Sequence, residues 1–349
     1  ARDWLRFGAR VFLATFSLTF SLIAGEIGLR VYYSALQNAN SMEKFKINQR
    51  DGKPMPIRSS HALASIIQPS EDPLVVYELQ PNLDTDFGHR LVRTNSDGMR
   101  ESRDYKLQKD PKSIRIIGIG DSGMFGWNIE QNEDYLAVME TNLNQRQDGT
   151  LYEVLNLAVP GYNTQLEVEM LRSKGLKYKP DIVIVGWCEN DYSLPFFMLE
   201  KENYRRRDVS FVHKLLFKRS SEKKEHTEIA AGFRMADLRD YDKSKVMPDL
   251  TTGTDMDRVK TAMEELKRLS EQNRFNVLVF GAMENGIRDI CKKARIPFSN
   301  TYDLIPSGKY PKEYLIHFMH PNKNGHRILA EHLEKDLVKR GWLPSREKN

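Results

Sequence analysis

At 349 residues the chain has room for one large domain with appendages, and 40% hydrophobic with 29% charged residues are the proportions of a globular protein rather than a disordered one. A net charge of +5 is modest for that length, and no clustered basic and aromatic pattern accompanies it, so nucleic acid is not an expected partner. Cys188 and Cys291 are the only cysteines, too few for a disulfide framework; Cys188 ends an apolar run, and a small hydrophobe is the expected role.

The amino terminus is the first element. No residue from Val11 to Gly25 is charged, and Val11, Phe12, Leu13, Phe16, Leu18, Phe20, Leu22 and Ile23 dominate it. Extended outward to Phe7 and Leu29 the run is long enough to span a bilayer, and it predicts an all-round apolar helix from about Phe7 to about Tyr33. Arg10 and Glu26 lie near its ends, where a charge is tolerated. Arg2, Arg6 and Arg10 precede it, so the start is expected on the cytoplasmic side and the body outside, periplasmic or extracellular. A cleaved signal peptide is the rival, but Ile23-Ala24-Gly25-Glu26 is a poor cleavage site. Ala14, Ser17, Ser21 and Gly25, three or four apart, would let another membrane helix approach, which makes other membrane subunits expected partners.

Residues 41–112 read as a polar extension. Leu74–Leu79 and His89–Thr94 look like strands, and Asn95-Ser96-Asp97-Gly98 like a turn ahead of Met99-Arg100. A packing role is expected for this stretch. From residue 113 apolar runs of strand length, Ile114–Ile119, Val154–Val159, Ile182–Trp187 and Val277–Phe280, alternate with helical spacing. Tyr135, Leu136, Met139 and Leu143 mark one helix, and Leu166, Met170 and Leu171 another. Val259, Met263, Leu266 and Leu269 mark a third, and Ile328, Leu329, His332, Leu333 and Leu337 the last. Such alternation predicts a parallel sheet with helices on both faces. Residues 200–255 interrupt it with Arg205-Arg206-Arg207, Lys214, Lys218, Arg219, Lys223 and Lys224 around an apolar patch. A solvated insertion, a lid or a helix resting on anionic lipid are the readings open there.

Four short blocks stand at the carboxyl ends of these strands or before the last helix: Gly120-Asp121-Ser122, Val159-Pro160-Gly161-Tyr162-Asn163, Gly186-Trp187-Cys188-Glu189-Asn190-Asp191, and His320-Pro321-Asn322 ahead of Gly325-His326. In this order they resemble the SGNH (GDSL-type) serine hydrolase family over roughly residues 113–340. The resemblance implies a flavodoxin-like three-layer α/β/α sandwich with five main strands, the SGNH hydrolase fold, here preceded by one transmembrane helix and a small β-containing extension. The domains expected are then residues 1–40 as anchor, 41–112 as extension and 113–349 as hydrolase-like domain.

By that resemblance Ser122 is the nucleophile and His320 its general base. The Ser122 and Gly161 backbone N–H groups and the Asn190 side chain form the oxyanion hole. A serine hydroxyl needs a neighbouring base to attack a carbonyl, and the tetrahedral oxyanion needs preorganised donors. The expected substrate is an ester, an acyl lipid or acylated glycan, with no cofactor. Family members usually carry an aspartate two or three residues before the histidine; here those positions hold Phe318 and His317, and Glu313 is the closest upstream acid. His317, a backbone carbonyl or a remote acid such as Asp303 is left to orient His320. A slow site is therefore expected, and an inactive domain kept as an accessory subunit of a membrane complex is the alternative. Met124 stands where relatives often have threonine. His317, His320 and His326, without clustered cysteines or carboxylates, do not predict a metal site.

Overall fold

The structure is a computed structural model; it describes residues 2–39, 63, 65–70, 72, 74–87, 90–195, 197–199, 210, 212, 233–235, 254–304, 314–316 and 320–345. Helix α1 (Arg2–Ala39) is longer at both ends than the expected segment. Its residues 6–32 are apolar enough and long enough to cross a membrane, and none of that stretch is buried. Phe12, Phe16 and Phe20 are 67%, 61% and 64% exposed. The hydroxyls of this helix donate back to its own carbonyls, Thr15 to Val11 at 2.6 Å, Thr19 to Thr15 at 2.8 Å and Ser21 to Ser17 at 2.8 Å, so none of the three confronts apolar surroundings unpaired. Glu26 is paired as well: it meets Arg30 at 2.7 Å and accepts the Val212 N–H at 2.8 Å.

Two antiparallel pairs build the extension, β1 (Ile67–Pro69) with β2 (Tyr77–Leu79) and β3 (Asp84–Asp86) with β4 (Leu91–Arg93). The apolar run from Leu74 becomes a strand only at Tyr77, because Val76 sits at φ +66, a strained angle for a β-branched residue that ends any extended pairing. The predicted turn forms: Asn95 Oδ1 accepts the N–H groups of Asp97 at 3.1 Å and Met99 at 3.0 Å, and Gly98 takes φ +75.

The main sheet contains β5 (Ser113–Gly120), β6 (Leu151–Asn156), β7 (Ile182–Trp187), β10 (Asn276–Gly281) and β11 (Phe298–Asn300); β8 (Phe197–Leu199) and β9 (Phe233–Met235) form a separate antiparallel pair. All neighbours in the main sheet are parallel, in the order β11-β10-β7-β5-β6. This is a flavodoxin-like winding, and its direction reverses between β5 and β7. β6 begins at Leu151 and stops at Asn156, shifted from the expected Val154–Val159. The Asn156 side chain turns the chain by accepting the Ala158 N–H at 3.1 Å, while Leu157 and Val159 still donate to the carbonyls of Gly118 and Gly120 at 2.9 and 3.0 Å. The apolar run therefore continues past the strand as a buried loop.

After β5 come α2 (Ser122–Phe125) and α3 (Tyr135–Asn144); then α4 (Thr164–Ser173), α5 (Asp255–Asn273), α6 (Asn285–Ala294) and α7 (Lys323–Lys339) follow. α3 packs on α7 against β6, and α4, α5 and α6 pack together. The helical spacing predicted α3, α4, α5 and α7; α6 and the three-residue β11 were not among the expected elements. Most of residues 200–255, expected as a lid or insertion, lie outside the described residues.

Candidate active site

β5 carries the chain to Asp121 and Ser122. Asp121 caps α2 by accepting the Gly123 N–H at 2.8 Å, so Ser122 opens that short helix, where backbone N–H groups lack intrahelical acceptors. β7 delivers Cys188 and the 3₁₀ turn Glu189–Tyr192 beside it. Both blocks sit at carboxyl strand ends on either side of the winding reversal, the place where open α/β sheets bind ligands. Met124 is buried and its side chain fills the space over Gly118, Gly120 and Gly186, so it joins the two strand ends from behind.

His320 comes from the segment before α7. Leu315 and Pro321 form a bridge, Ile316 N–H donates to His320 O at 2.9 Å, and Asn322 caps α7 by accepting the Gly325 N–H at 3.0 Å. Gly325 is required by close approach: a Cβ there would lie 2.3 Å from the Tyr314 carbonyl oxygen. The result is a 2.7 Å contact between His320 Nε2 and Ser122 Oγ, with both side chains part-buried.

Asp121 Oδ2 is the hub of the Ser122 side. Asn190 Nδ2 donates to it at 2.9 Å, Cys188 Sγ at 3.1 Å, and Ser122 Oγ lies 3.2 Å away. The Cys188 thiol also meets Asn190 Oδ1. Cys188 is thus not a mere hydrophobe, as the sequence suggested, but a polar contact of the site; both cysteines are free. Gly161 takes φ +80 in the second block. That block is tied to the third, since Asn163 caps α4 and its Nδ2 donates to Ser193 O at 2.9 Å. The structure brings Ser122, His320 and Asn190 together around Asp121. His317 lies outside the described residues, as does the side chain of Asp303, whose backbone is in the turn Tyr302–Leu304.

Beneath this surface lies a buried acidic group. Among the described residues no cation pairs with Glu167 or Asp191; burial pushes both carboxyls well above the usual range, and Asp121 raises each further, as Glu167 does for Asp191. Burial also pushes the Cys188 thiol well up, with Asp121 and Asp191 adding to it. Donor atoms of Asp121, Cys188 and Asp191 lie within 4.8 Å of one another, close enough to share an ion. Asp121 Oδ2 already accepts the hydrogen bonds above and Asp191 Oδ2 that of the Cys188 N–H at 2.9 Å, while Asp191 Oδ1 has no hydrogen-bond partner among the described residues; the protonated thiol is a poor ligand. His326, buried under α3, accepts the Tyr135 N–H on Nδ1 at 3.1 Å; burial lowers it to about 3, with Arg100 and His320 adding to the effect.

The extension grips this site. Fully buried Arg100 donates to three backbone carbonyls of the loop after Ser122: Phe125, Gly126 at 2.6 Å and Ile129 at 2.6 Å. Gly126 takes φ +86, and a Cβ on it would lie 2.5 Å from Arg100 Nη1. Tyr77 Oη donates to Pro160 O at 3.1 Å, beside Gly161, and Tyr162 returns a bond to Tyr77 O. Arg100, Trp127 and Asp121 had no assigned role in the sequence reading; the Met99-Arg100 pair after a predicted turn was the one local signal.

A serine–histidine pair at the reversal point of a flavodoxin-like sheet, with the other two blocks beside it, defines the SGNH class of protein. The profile of the GDSL-like Lipase/Acylhydrolase family matches residues 119–328, more than half of the chain, and the chain belongs to that family. Among solved structures it is similar to an esterase from Pseudoalteromonas sp., at 13% identity and TM-score 0.41, over 65% of this chain and 98% of that one. A variant of an acetyl-xylooligosaccharide esterase from Geobacillus gives 14% and 0.43, over 67% and 97%. A GDSL-like lipase from Bacteroides thetaiotaomicron gives 13% and 0.38, over 65% and 88%. No curated protein matches the chain.

Proposed function

We propose that this chain is a membrane-anchored serine esterase or acyl hydrolase acting on an ester outside the cytoplasm. The observation that carries the reading is the 2.7 Å contact of Ser122 Oγ with His320 Nε2. Neutral His320 accepts the hydroxyl proton on Nε2 as Oγ attacks the ester carbonyl carbon. The oxyanion is met by the Ser122 and Gly161 N–H groups and by the second N–H of Asn190, its first being held by Asp121 Oδ2. His320 then returns the proton to the departing alkoxide, leaving Ser122 acylated. Water hydrolyses the acyl-enzyme with His320 again as base; a sugar hydroxyl in its place makes the chain an acyl transferase.

Acyl lipids and acylated glycans are the substrate classes in reach of this chemistry, and no step calls on a cofactor. The exposed, apolar α1 supports anchoring, and the arginines at its start support an outward-facing body. Small residues on that helix favour further membrane subunits as partners. The test is turnover of aryl esters of graded acyl length by the full chain in lipid vesicles. Slow hydrolysis, abolished in Ser122→Ala and raised in His317→Asp, is expected. Hydrolysis unaffected by Ser122→Ala would overturn the reading and leave the accessory-subunit alternative.

A further inference from the structure

We propose that Trp127 is a positioning residue for His320: its indole, locked in place by the extension through Arg100 and Phe87, holds the imidazole plane over Ser122 and stabilises the imidazolium that forms when Ser122 gives up its proton. The inference rests on the proposed roles of Ser122 and His320. Its basis is a stack: the Trp127 and His320 rings lie 5.8 Å apart at 19°. An indole face attracts a cation, and it does so more strongly when the pair is shielded from water.

The stack is built rather than incidental. The backbone N–H of Trp127 donates to the Ser122 carbonyl at 3.0 Å, so one turn carries both the nucleophile and the plate against which the base rests. Arg100 fixes that turn on both sides of Trp127, through the carbonyls of Phe125, Gly126 and Ile129, and its guanidinium lies 4.5 Å over the Phe125 ring. Phe87 meets Trp127 edge-on at 5.0 Å and 86°, which fixes the tilt of the indole. Trp127 itself is only partly buried. Asp121 lies beyond Ser122, 3.2 Å from its Oγ, and His326, whose imidazole feels both Arg100 and His320, is the other titratable group seen to act on this side. A charge on His320 therefore rests on the indole face, with Asp121 beyond Ser122.

The test uses the full chain in detergent micelles with histidine labelled at Cε1, the His320 signal being assigned with His320→Gln. Wild type is compared with Trp127→Leu, Trp127→Phe, and a series carrying increasingly fluorinated tryptophan at position 127. Fluorination drains the ring face without changing its shape, so it separates a charge effect from a packing effect. The midpoint of the His320 titration is expected to fall by about 0.5–1 pH unit in Trp127→Leu, to fall stepwise with fluorination, and to be largely kept in Trp127→Phe. The rate of Ser122 labelling by a fluorophosphonate is expected to fall about tenfold in Trp127→Leu. A midpoint that stays flat across the fluorinated series overturns the inference even where Trp127→Leu unfolds. If the midpoint moves as expected but Ser122 takes no probe in any variant, the stack stands and the esterase reading fails.

Discussion

The two halves of the candidate site are held by different means. Ser122 and Asn190 sit on the ends of neighbouring parallel strands, within a few residues of β5 and β7, and are knitted together by Asp121 and Cys188 from the same two loops. His320 arrives on a segment with little regular structure and is braced from elsewhere: the Leu315–Pro321 bridge, the Asn322 cap and the face of Trp127, which the extension holds. The first half is local in sequence and is fixed by the sheet. The second is a product of long-range packing, with Arg100 and Phe87 some two hundred residues away from the histidine they help to place. The contrast says that damage to the extension should reach the chemistry through His320 and through the Ser122 turn that Arg100 clamps, and leave the Asp121 contacts between the β5 and β7 loops standing.

The comparison can be broken most severely at the pair itself. Ser122→Ala or His320→Ala should each lower turnover by about 10⁴–10⁶, with the double variant no worse than either single one, as for residues that act as a unit. Additive losses would mean that the two halves do not work together. On the Ser122 side, Asn190→Ala should cost about 10²–10³ in kcat with KM little changed if, as proposed, its second N–H meets the developing oxyanion. A rise in KM alone would place Asn190 in ground-state binding instead.

On the braced side, Arg100→Met should cost about 2–4 kcal/mol in denaturant unfolding, because three buried carbonyls lose a charged donor. It should also slow labelling of Ser122. A loss under about 0.5 kcal/mol would show that the loop holds its shape without the clamp.

The smallest expected effect concerns the acids beneath the site. Glu167 and Asp191 are held above the usual carboxylate range, so the folded chain keeps protons that the unfolded chain releases. That cost to stability is absent below the ordinary carboxylate value and grows as the pH rises through it. Glu167→Gln should therefore stabilise the protein by about 1–3 kcal/mol near pH 8 and by much less near pH 4. A loss of stability at the higher pH would mean that the charge of Glu167 is matched by a partner and is needed.

The same division explains what could be read from the sequence. The four blocks were legible because each is a few residues long, three end apolar runs and the fourth precedes the last helix, and their chemistry depends on residue type at fixed local spacing. α1 was legible because its apolar surface is continuous along the chain. The end of β6 was not, since Leu157, Ala158 and Val159 are as buried as strand residues but belong to a loop that Asn156 turns. β11, at three residues, leaves too short a pattern to notice. Beyond the turn before Arg100, Arg100 and Trp127 carried no signal, because an arginine that binds backbone carbonyls and an indole that stacks on a distant ring look, in sequence, like any surface arginine or core tryptophan. Glu167 reads as one polar residue of an amphipathic helix, yet it is fully buried.

The most direct test of the central claim is labelling of the full chain by a serine-directed fluorophosphonate, with the adduct located by peptide mass. The account predicts one adduct, on Ser122, formed much more slowly in His320→Gln and not at all in Ser122→Ala. A folded wild-type chain that gains no adduct on Ser122 across the neutral pH range, or gains it just as fast without His320, would contradict it.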